Sequence, residues 1–229
     1  MDIGYFAFTR KAATEARDRA VQKFPHLDAK VDFPWFRTLH SLAYHCLGVG
    51  NNDLMSGSDY AVFAKETGLT VSTSVETGEE FIVKADNAIL NEINLARVRG
   101  EDLRTHYNKS DMDIEWFYFE FVERAFRQFK AAHMLMDFTD LIERLIEQQD
   151  RLPSLDVLIV DEAQDMSRLQ WKLVTALESR ADRVHLAGDD DQCVFNWAGA
   201  DVQTFLSHEG NVKVLEHSYR VPAKVHALA

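Results

Sequence analysis

Two adjacent carboxylates, Asp161 and Glu162, directly follow the apolar run 157–160 of the 229-residue sequence. A continuous apolar, β-branched run is typical of a strand that is covered on both faces of a sheet. In open parallel sheets the ligand site lies beyond the carboxyl ends of the strands, so both carboxylates are predicted to point there. One is suited to Mg²⁺, and the other is suited to positioning a water that attacks a phosphoryl group. The alternative is two acids that are solvated at a strand end.

A second polar stretch, AGDDDQCVFNWAG, occupies residues 187–199. Gly188 permits a tight turn, and three adjacent aspartates cannot be buried together without a cation or hydrogen-bond donors. Gln192 is a neutral group that could bond a terminal phosphate oxygen or the attacking water. Trp197 could stack on a base, but without its neighbours a core or interface tryptophan would be the better interpretation.

A third stretch, LEHSYRVP, occupies residues 215–222 and follows another predicted strand. Arg220 could reach across to a terminal phosphate and stabilise the charge that develops during phosphoryl transfer. The alternative is a surface arginine, and this stretch carries little weight without the other two.

A parallel sheet is needed to position these residues at one place. Strands are predicted at 3–8, 157–160, 184–187 and 212–215, with helical stretches between them, and strands joined by helical crossovers form parallel sheets. Thr9 is predicted to cap the helix that follows the first strand. Ser167 and Gln170 form an S-x-x-Q capping box after the second.

Residues 50–137 have a different composition and are predicted to form a separate helical lobe. Many Gly, Ser and Thr residues in 66–81 predict loops or turns. The aromatic stretch 116–129 is interpreted as a helix buried on several sides, in preference to a base-stacking platform. The two ends of the chain, 1–49 and 138–229, are predicted to form a three-layer α/β domain.

Charge and cysteine content restrict the possible functions. The formal net charge of −12 argues against a basic surface for nucleic acid, although a protein that grips DNA in one cleft can be acidic elsewhere. Cys46 and Cys193 lie far apart and form no C-x-x-C, so neither a zinc site nor a disulfide framework is supported, and a cytosolic setting fits. No apolar run approaches the roughly 20 residues that span a bilayer, so no membrane partner is expected.

Five stretches, in order along the chain, resemble the motifs of UvrD/Rep-like superfamily 1 DNA helicases. IVDEAQD, GDDDQCVFNWAGA and LEHSYRVP resemble motifs II, III and IV, while AFTRKAATEARDR and FRTLHSLAYHCL resemble motifs Ia and Ib. MDFTDLI is similar to the segment that re-enters the first motor domain. The resemblance implies a RecA-like, P-loop-type parallel sheet with helices on both faces, formed by 1–49 and 138–229 (domain 1A). Residues 50–137 correspond by position to the helical insertion called 1B.

The resemblance also implies a motor that hydrolyses ATP, with Mg²⁺, to step along single-stranded DNA, usually 3′ to 5′. By position, Asp161 and Glu162 would bind the Mg²⁺ nucleotide, and Glu162 would activate water. Gln192 would sense the γ-phosphate, and Arg220 would act as an arginine finger. The residues implied to contact single-stranded DNA are Phe8, Thr9, Thr38, His40 and Trp197.

The sequence departs from the family pattern in several places. The 229 residues contain no G-x-x-x-x-G-K-[ST] loop, no motifs V and VI and no second motor domain. The family's W-R-G stands here as Trp197-Ala198-Gly199, and Arg37 occupies a position where glycine is common. Without the loop, the backbone cradle and the lysine for the β- and γ-phosphates are missing. The isolated chain is therefore expected to lack ATPase activity.

Three functional interpretations remain open at this point. The chain is a fragment of a DNA helicase, or a non-catalytic single-stranded-DNA-binding or adaptor protein on a helicase scaffold, or the motor part of a helicase–nuclease. The reading frame on either side distinguishes them, through an upstream phosphate loop, genuine start and stop codons, or a downstream nuclease domain.

Overall fold

The structure is a computed structural model that describes residues 1–76 and 82–214. Strands and helices alternate at the two ends of the chain, and helices predominate between them. The strands are β1 (Ile3–Phe6), β2 (Phe36–Arg37), β3 (Ser72–Glu76), β4 (Ile82–Asp86), β5 (Val157–Val160) and β6 (Val184–Leu186). The helices are α1 (Arg10–Lys23), α2 (Leu39–Leu47), α3 (Gly57–Thr67), α4 (Ala88–Arg99), α5 (Leu103–Lys109), α6 (Trp116–His133), α7 (Phe138–Glu147), α8 (Arg168–Glu178) and α9 (Val202–Leu206).

The central sheet has four parallel strands in the order β2-β1-β5-β6. The register aligns Phe6 with Val160, and Val160 with Leu186. The last residues of β1, β5 and β6 therefore lie side by side, and the segments that follow them leave the sheet at the same edge. The prediction of a parallel α/β sheet is confirmed.

Short polar side chains begin the helices that follow these strands. Thr9 Oγ1 accepts a hydrogen bond from Ala12 N at 3.2 Å, as predicted for the cap of α1. Ser167 and Gln170 form the predicted capping box of α8, with each side chain bonded to the other residue's backbone N–H. Such caps satisfy backbone donors that the first helical turn leaves without partners.

The predicted strand at 212–215 is wrong for the residues that the structure describes. Residues 211–214 have no strand geometry, and position 215 lies outside the described residues. Val212 and Val214 are 86% and 77% exposed, and no described strand pairs with them. A run of β-branched residues forms a strand only where a neighbouring strand accepts its backbone hydrogen bonds.

The loop prediction for 66–81 is also wrong in part. Strand β3 pairs antiparallel with β4, from Ser72 opposite Asp86 to Glu76 opposite Ile82. Serine and threonine are common in turns, but threonine and valine also favour strands, and the pairing partner decides between the two. The middle of the chain thus contains a two-stranded sheet in addition to its helices.

The buried apolar residues fall into two clusters. One cluster surrounds the parallel sheet and the helices α2, α7 and α8, with Phe6, Leu158 and Leu173 fully buried. The other lies among α3, α4 and α6 and includes Phe63 and Phe119. Within the described residues, every strand of the parallel sheet comes from 1–49 or 138–214. We therefore retain the division into 1–49, 50–137 and 138–229 as a proposal.

A largely buried ion network joins α4 and α6 to the beginning of α7. Arg97 Nη1 and Lys130 Nζ lie 2.7 and 2.5 Å from the same oxygen, Asp137 Oδ2. Asp140 accepts from both cations, at 2.5 and 2.6 Å, and Glu143 accepts from Arg97 at 2.6 Å. Burial by itself would raise the pKa of Asp137, but the charges of Arg97 and Lys130 outweigh burial and lower this pKa to about 2.

Asp137→Asn is expected to weaken the acid sensitivity of the fold. Because the folded-state pKa of Asp137 is lowered, its ionised form stabilises the fold above the ordinary value of 3.8, and this contribution is lost as the pH falls towards about 2. Between about pH 6 and about pH 3 the wild type should lose about 1 kcal/mol more unfolding free energy than the variant. Urea denaturation followed by circular dichroism measures both values.

Asp113→Asn is the matched control, because Asp113 is exposed. This control should follow the wild type at both pH values. Identical pH dependence in wild type and Asp137→Asn would show that the network contributes no such acid sensitivity.

Candidate functional site

The carboxyl edge of the parallel sheet brings the candidate residues together. Asp161 N donates a hydrogen bond to Phe6 O at 2.8 Å, and Ala163 N donates to Ala187 O at 2.9 Å. These two bonds tie the segment after β5 to the ends of both neighbouring strands. The sequence stretches 158–165 and 187–199 therefore meet at one place, as their positions after parallel strands require.

Asp161 is half-buried, and its carboxylate is held by a residue that the sequence analysis did not single out. The Tyr5 hydroxyl donates to Asp161 Oδ2, and Glu162 N donates to Asp161 Oδ1 at 3.1 Å. Burial raises the pKa of Tyr5, and the hydrogen bond with Asp161 raises it further. Tyr5 therefore keeps its proton and remains a donor, and its hydrogen bond fixes the direction of the Asp161 carboxylate.

Glu162 is exposed and has an unusual backbone conformation. Its φ of 52° and ψ of 43° lie in the left-handed region, which costs a non-glycine residue roughly 1–2 kcal/mol. The side chain is held by Gln164, whose Nε2 donates to Glu162 Oε2 at 2.8 Å. Such strain persists only where surrounding contacts fix the residue, and it is frequent at functional sites.

Gln164 is buried, with 1% of its surface exposed, and it connects the two stretches. Its Oε1 accepts from Asp189 N at 3.1 Å. A Cβ atom added at Gly188 would lie 2.7 Å from Gln164 Oε1, so Gly188 is needed for this close approach. The φ of Gly188 is not in the left-handed region, so the tight turn expected there is not what requires glycine.

The three aspartates 189–191 are exposed to solvent, so they do not need a cation to offset burial. Gln192 is exposed too, and its Nε2 donates to Asp189 Oδ2. Asp165, next to the glutamine that links the two stretches, is half-buried. Burial raises the pKa of Asp165, and the charge of Glu162 raises it further.

Aromatic residues from four separate segments of the chain lie near one another. The ring of Phe8 stacks on Phe195, with centroids 5.2 Å apart, and Phe195 lies 6.4 Å from Trp197. His40 stacks on Phe138 at 4.1 Å, and Phe8, His40 and Phe195 line a pocket of about 100 Å³. Trp197 is 74% exposed, so its indole face is open to solvent.

Phe195 was missed by the sequence analysis. The only available signal was its position two residues before Trp197. Its contact with Phe8 links positions far apart in the sequence, and that link becomes visible only in the folded chain.

Thr9 and Thr38 both act as helix caps. Thr38 Oγ1 accepts from Ser41 N at 3.2 Å, in the same way that Thr9 caps α1. A threonine hydroxyl that accepts in this way can still donate its hydrogen to another group. Thr38 also lines a groove of about 850 Å³ between α1 and α2, together with five basic and two acidic residues. The basic residues are Arg10, Lys11, Arg17, Arg19 and Arg37.

The remaining predicted site residue, Arg220, lies outside the described residues, as does the whole of LEHSYRVP. Among the described residues, no three His, Cys, Asp or Glu side chains converge as a metal-binding group. None of the described helices has the length and apolar character to cross a membrane.

Comparison with known proteins identifies the family. Residues 2–213 match the model of the UvrD/REP helicase N-terminal domain. The ATP-dependent DNA helicase Rep of Buchnera aphidicola is 26% identical over an alignment of 241 positions, which spans 97% of this chain and 34% of the relative. DNA helicase II of Haemophilus influenzae is 26% identical over 95% of this chain and 32% of the relative. The ATP-dependent DNA helicase PcrA of Staphylococcus aureus is 27% identical over 93% of this chain and 31% of the relative. The chain spans about a third of the length of these curated relatives, and it belongs to the UvrD/REP helicase N-terminal domain family.

Proposed function

We propose that this chain supplies the carboxylate side of the ATP site and part of the DNA-contacting surface of a UvrD/Rep-like DNA helicase. The observation that carries the proposal is the shared sheet edge. Asp161 and Glu162 follow β5, and Phe8, which stacks on Phe195 near Trp197, follows the neighbouring strand β1. The relatives named as ATP-dependent DNA helicases support it. A motor needs nucleotide and DNA contacts close together, because one must respond to the other.

The donor set at the end of β5 fits Mg²⁺. In phosphoryl-transfer sites this ion is held by one or two carboxylates, with phosphate oxygens and waters completing its octahedron. Asp161 offers hard oxygen ligands in a direction fixed by Tyr5, and Glu162 lies next to it. Bound Mg²⁺ would neutralise charge that develops on the phosphates. We propose Asp161 as its main protein ligand.

The other residues would have distinct roles in ATP hydrolysis. The oxygen of water forms a bond to the γ-phosphorus while the bond from that phosphorus to the β–γ bridging oxygen breaks, and its electron pair leaves with ADP. Glu162 accepts the proton that the attacking water loses. Gln192 donates to a γ-phosphate oxygen, and Arg220 stabilises the charge of the transition state.

The DNA contacts follow from the exposed aromatic face and the helix caps. Aromatic rings stack on any base, so Trp197 and the Phe8–Phe195 pair suit binding without sequence preference. Thr9, Thr38 and His40 can donate hydrogen bonds to phosphates. The groove beside Thr38 adds a local excess of basic residues to a chain whose formal net charge is −12. The 3′ to 5′ direction and a cytoplasmic location stay predictions.

An alternative is a single-stranded-DNA-binding or adaptor protein that uses the helicase scaffold without catalysis. The absence of a G-x-x-x-x-G-K-[ST] sequence from these 229 residues favours it for the isolated chain. The two functions differ in ATP turnover and share the DNA-binding surface.

The isolated 229-residue chain is expected to show no ATP turnover, with or without DNA. Catalysis of phosphoryl transfer depends mostly on positioning and electrostatics, and this sequence has no P-loop to cradle the β- and γ-phosphates. Steady-state phosphate release measures the rate. DNA-stimulated turnover near roughly 10 s⁻¹ would overturn the prediction, and Glu162→Gln should then abolish that turnover.

The isolated chain is expected to bind single-stranded DNA weakly, without sequence preference and only at low salt. Stacking on an exposed aromatic contributes roughly 1–3 kcal/mol, so Trp197→Ala should weaken binding at least about 5-fold. Binding should fade as salt rises, because phosphate contacts release counterions and screening weakens them. Fluorescence anisotropy with a labelled oligonucleotide measures both effects.

Trp116→Ala provides the matched control for the loss of an indole. Trp116 packs on Tyr107 at 5.2 Å, with the Arg104 guanidinium 4.4 Å from its ring centroid, and it lies in the helical cluster. This variant should lose stability and retain DNA affinity. Equal affinity of Trp197→Ala and wild type would refute the proposed DNA surface. Lack of wild-type binding at low salt would assign DNA binding to the complete helicase alone.

A further inference from the structure

We infer that Gln164 is a positioning residue that joins Glu162 and the segment 189–192 into one unit. The inference rests on the proposed function, since the part of Glu162 in ATP hydrolysis is itself proposed. Gln164 lies in the stretch 158–165, but the sequence alone gives it no separate role in the reaction. Its contacts in the fold supply that role.

The carboxamide of Gln164 uses both of its ends. Nε2 donates to Glu162 Oε2 at 2.8 Å, and Oε1 accepts from Asp189 N at 3.1 Å. A longer contact of 3.4 Å joins Nε2 to Asp165 Oδ2. One buried side chain thus bonds both to the carboxylate after β5 and to the backbone after β6.

The connection continues from Asp189 to the second proposed catalytic group. Asp189 Oδ2 accepts from Gln192 Nε2, so Gln164 and Asp189 are the two residues that link Glu162 to Gln192. Glu162 and Gln192 are both exposed, and free side chains of this length would sample several rotamers. A buried anchor limits this freedom before the reaction begins, which favours the productive arrangement.

An amide side chain satisfies both partners at this position without carrying a charge. Glutamine presents a donor and an acceptor on one planar group, whereas a charged glutamate offers acceptors alone and methionine offers neither in useful strength. The packing leaves room for this group because residue 188 is glycine. A Cβ atom at position 188 would lie only 2.7 Å from Gln164 Oε1. The left-handed backbone of Glu162 is a strained conformation that the same anchor helps to hold.

The first experiment is hydrogen exchange on the 229-residue chain, and it does not depend on catalysis. In Gln164→Met the Asp189 amide loses its acceptor, so its exchange should accelerate at least about 10-fold. Gln164→Glu keeps an acceptor for Asp189 and loses the donor to Glu162, so protection of Asp189 should persist. The Trp171 amide, bonded to Ser167 O at 2.9 Å within α8, reports global stability and corrects for it.

The second experiment uses the complete helicase that contains this segment, with single-stranded DNA present. Gln164→Met should lower kcat for ATP hydrolysis about 10-fold or more while KM for ATP changes less than about 2-fold, because the bond orients Glu162 for the chemical step and does not contact ATP itself. Gln164→Glu should lower kcat similarly, since it also loses the donor to Glu162. The double variant Glu162→Gln, Gln164→Met should be no slower than Glu162→Gln alone.

The outcomes separate the inference from the proposed function. The positioning role would be overturned if the Asp189 amide in Gln164→Met exchanged as slowly as in the wild type. It would also be overturned if the kcat losses of the two single variants multiplied in the double variant. No ATP hydrolysis by the complete wild-type protein would overturn the proposed function, and the exchange result would then decide the Gln164 connection by itself.

Discussion

The register of the parallel strands β1, β5 and β6 is the constraint on which the site depends. Phe6, Val160 and Leu186 end their strands side by side, so the segments beyond them must meet. The bond between Tyr5 and Asp161 joins residues 156 positions apart and depends on this register. If one strand shifted by one residue relative to its neighbours, every side chain of that strand would turn to the opposite face of the sheet. Carboxylates would then be buried and core residues exposed.

Patterns that are local in sequence predicted much of this fold. A covered strand followed at once by two carboxylates gave the position of Asp161 and Glu162, and the cap at Thr9 marked the beginning of α1. Strand β3 and the residues 212–214 were misinterpreted, since strand formation there depends on a partner that composition does not reveal. Serine and threonine suit a turn or a strand, and only the opposing β4 decides.

For the candidate site, the sequence indicates residues that motifs single out one at a time, and it does not indicate residues whose role depends on a distant partner. The motif resemblance implied DNA contacts for Phe8, His40 and Trp197. Phe8 stacks on Phe195, which lies 6.4 Å from Trp197, and His40 lines a pocket together with Phe8 and Phe195. Tyr5 and Gln164 were missed because each acts on a residue that pairing brings near, Asp161 in one case and Asp189 in the other. Long-range contacts of this kind leave no periodic signal in the sequence.

The left-handed backbone of Glu162 places stability and chemistry in opposition at one position. Glycine adopts this conformation without steric cost, so a search for heat-resistant variants would tend to favour glycine there. Met134 is the other non-glycine residue with positive φ among the described residues. It follows the last residue of α6, and its replacement by glycine would remove no carboxylate. Laboratory evolution under thermal selection alone could therefore replace Met134 with glycine without loss of a carboxylate. The same replacement of Glu162 would remove the proposed catalytic base.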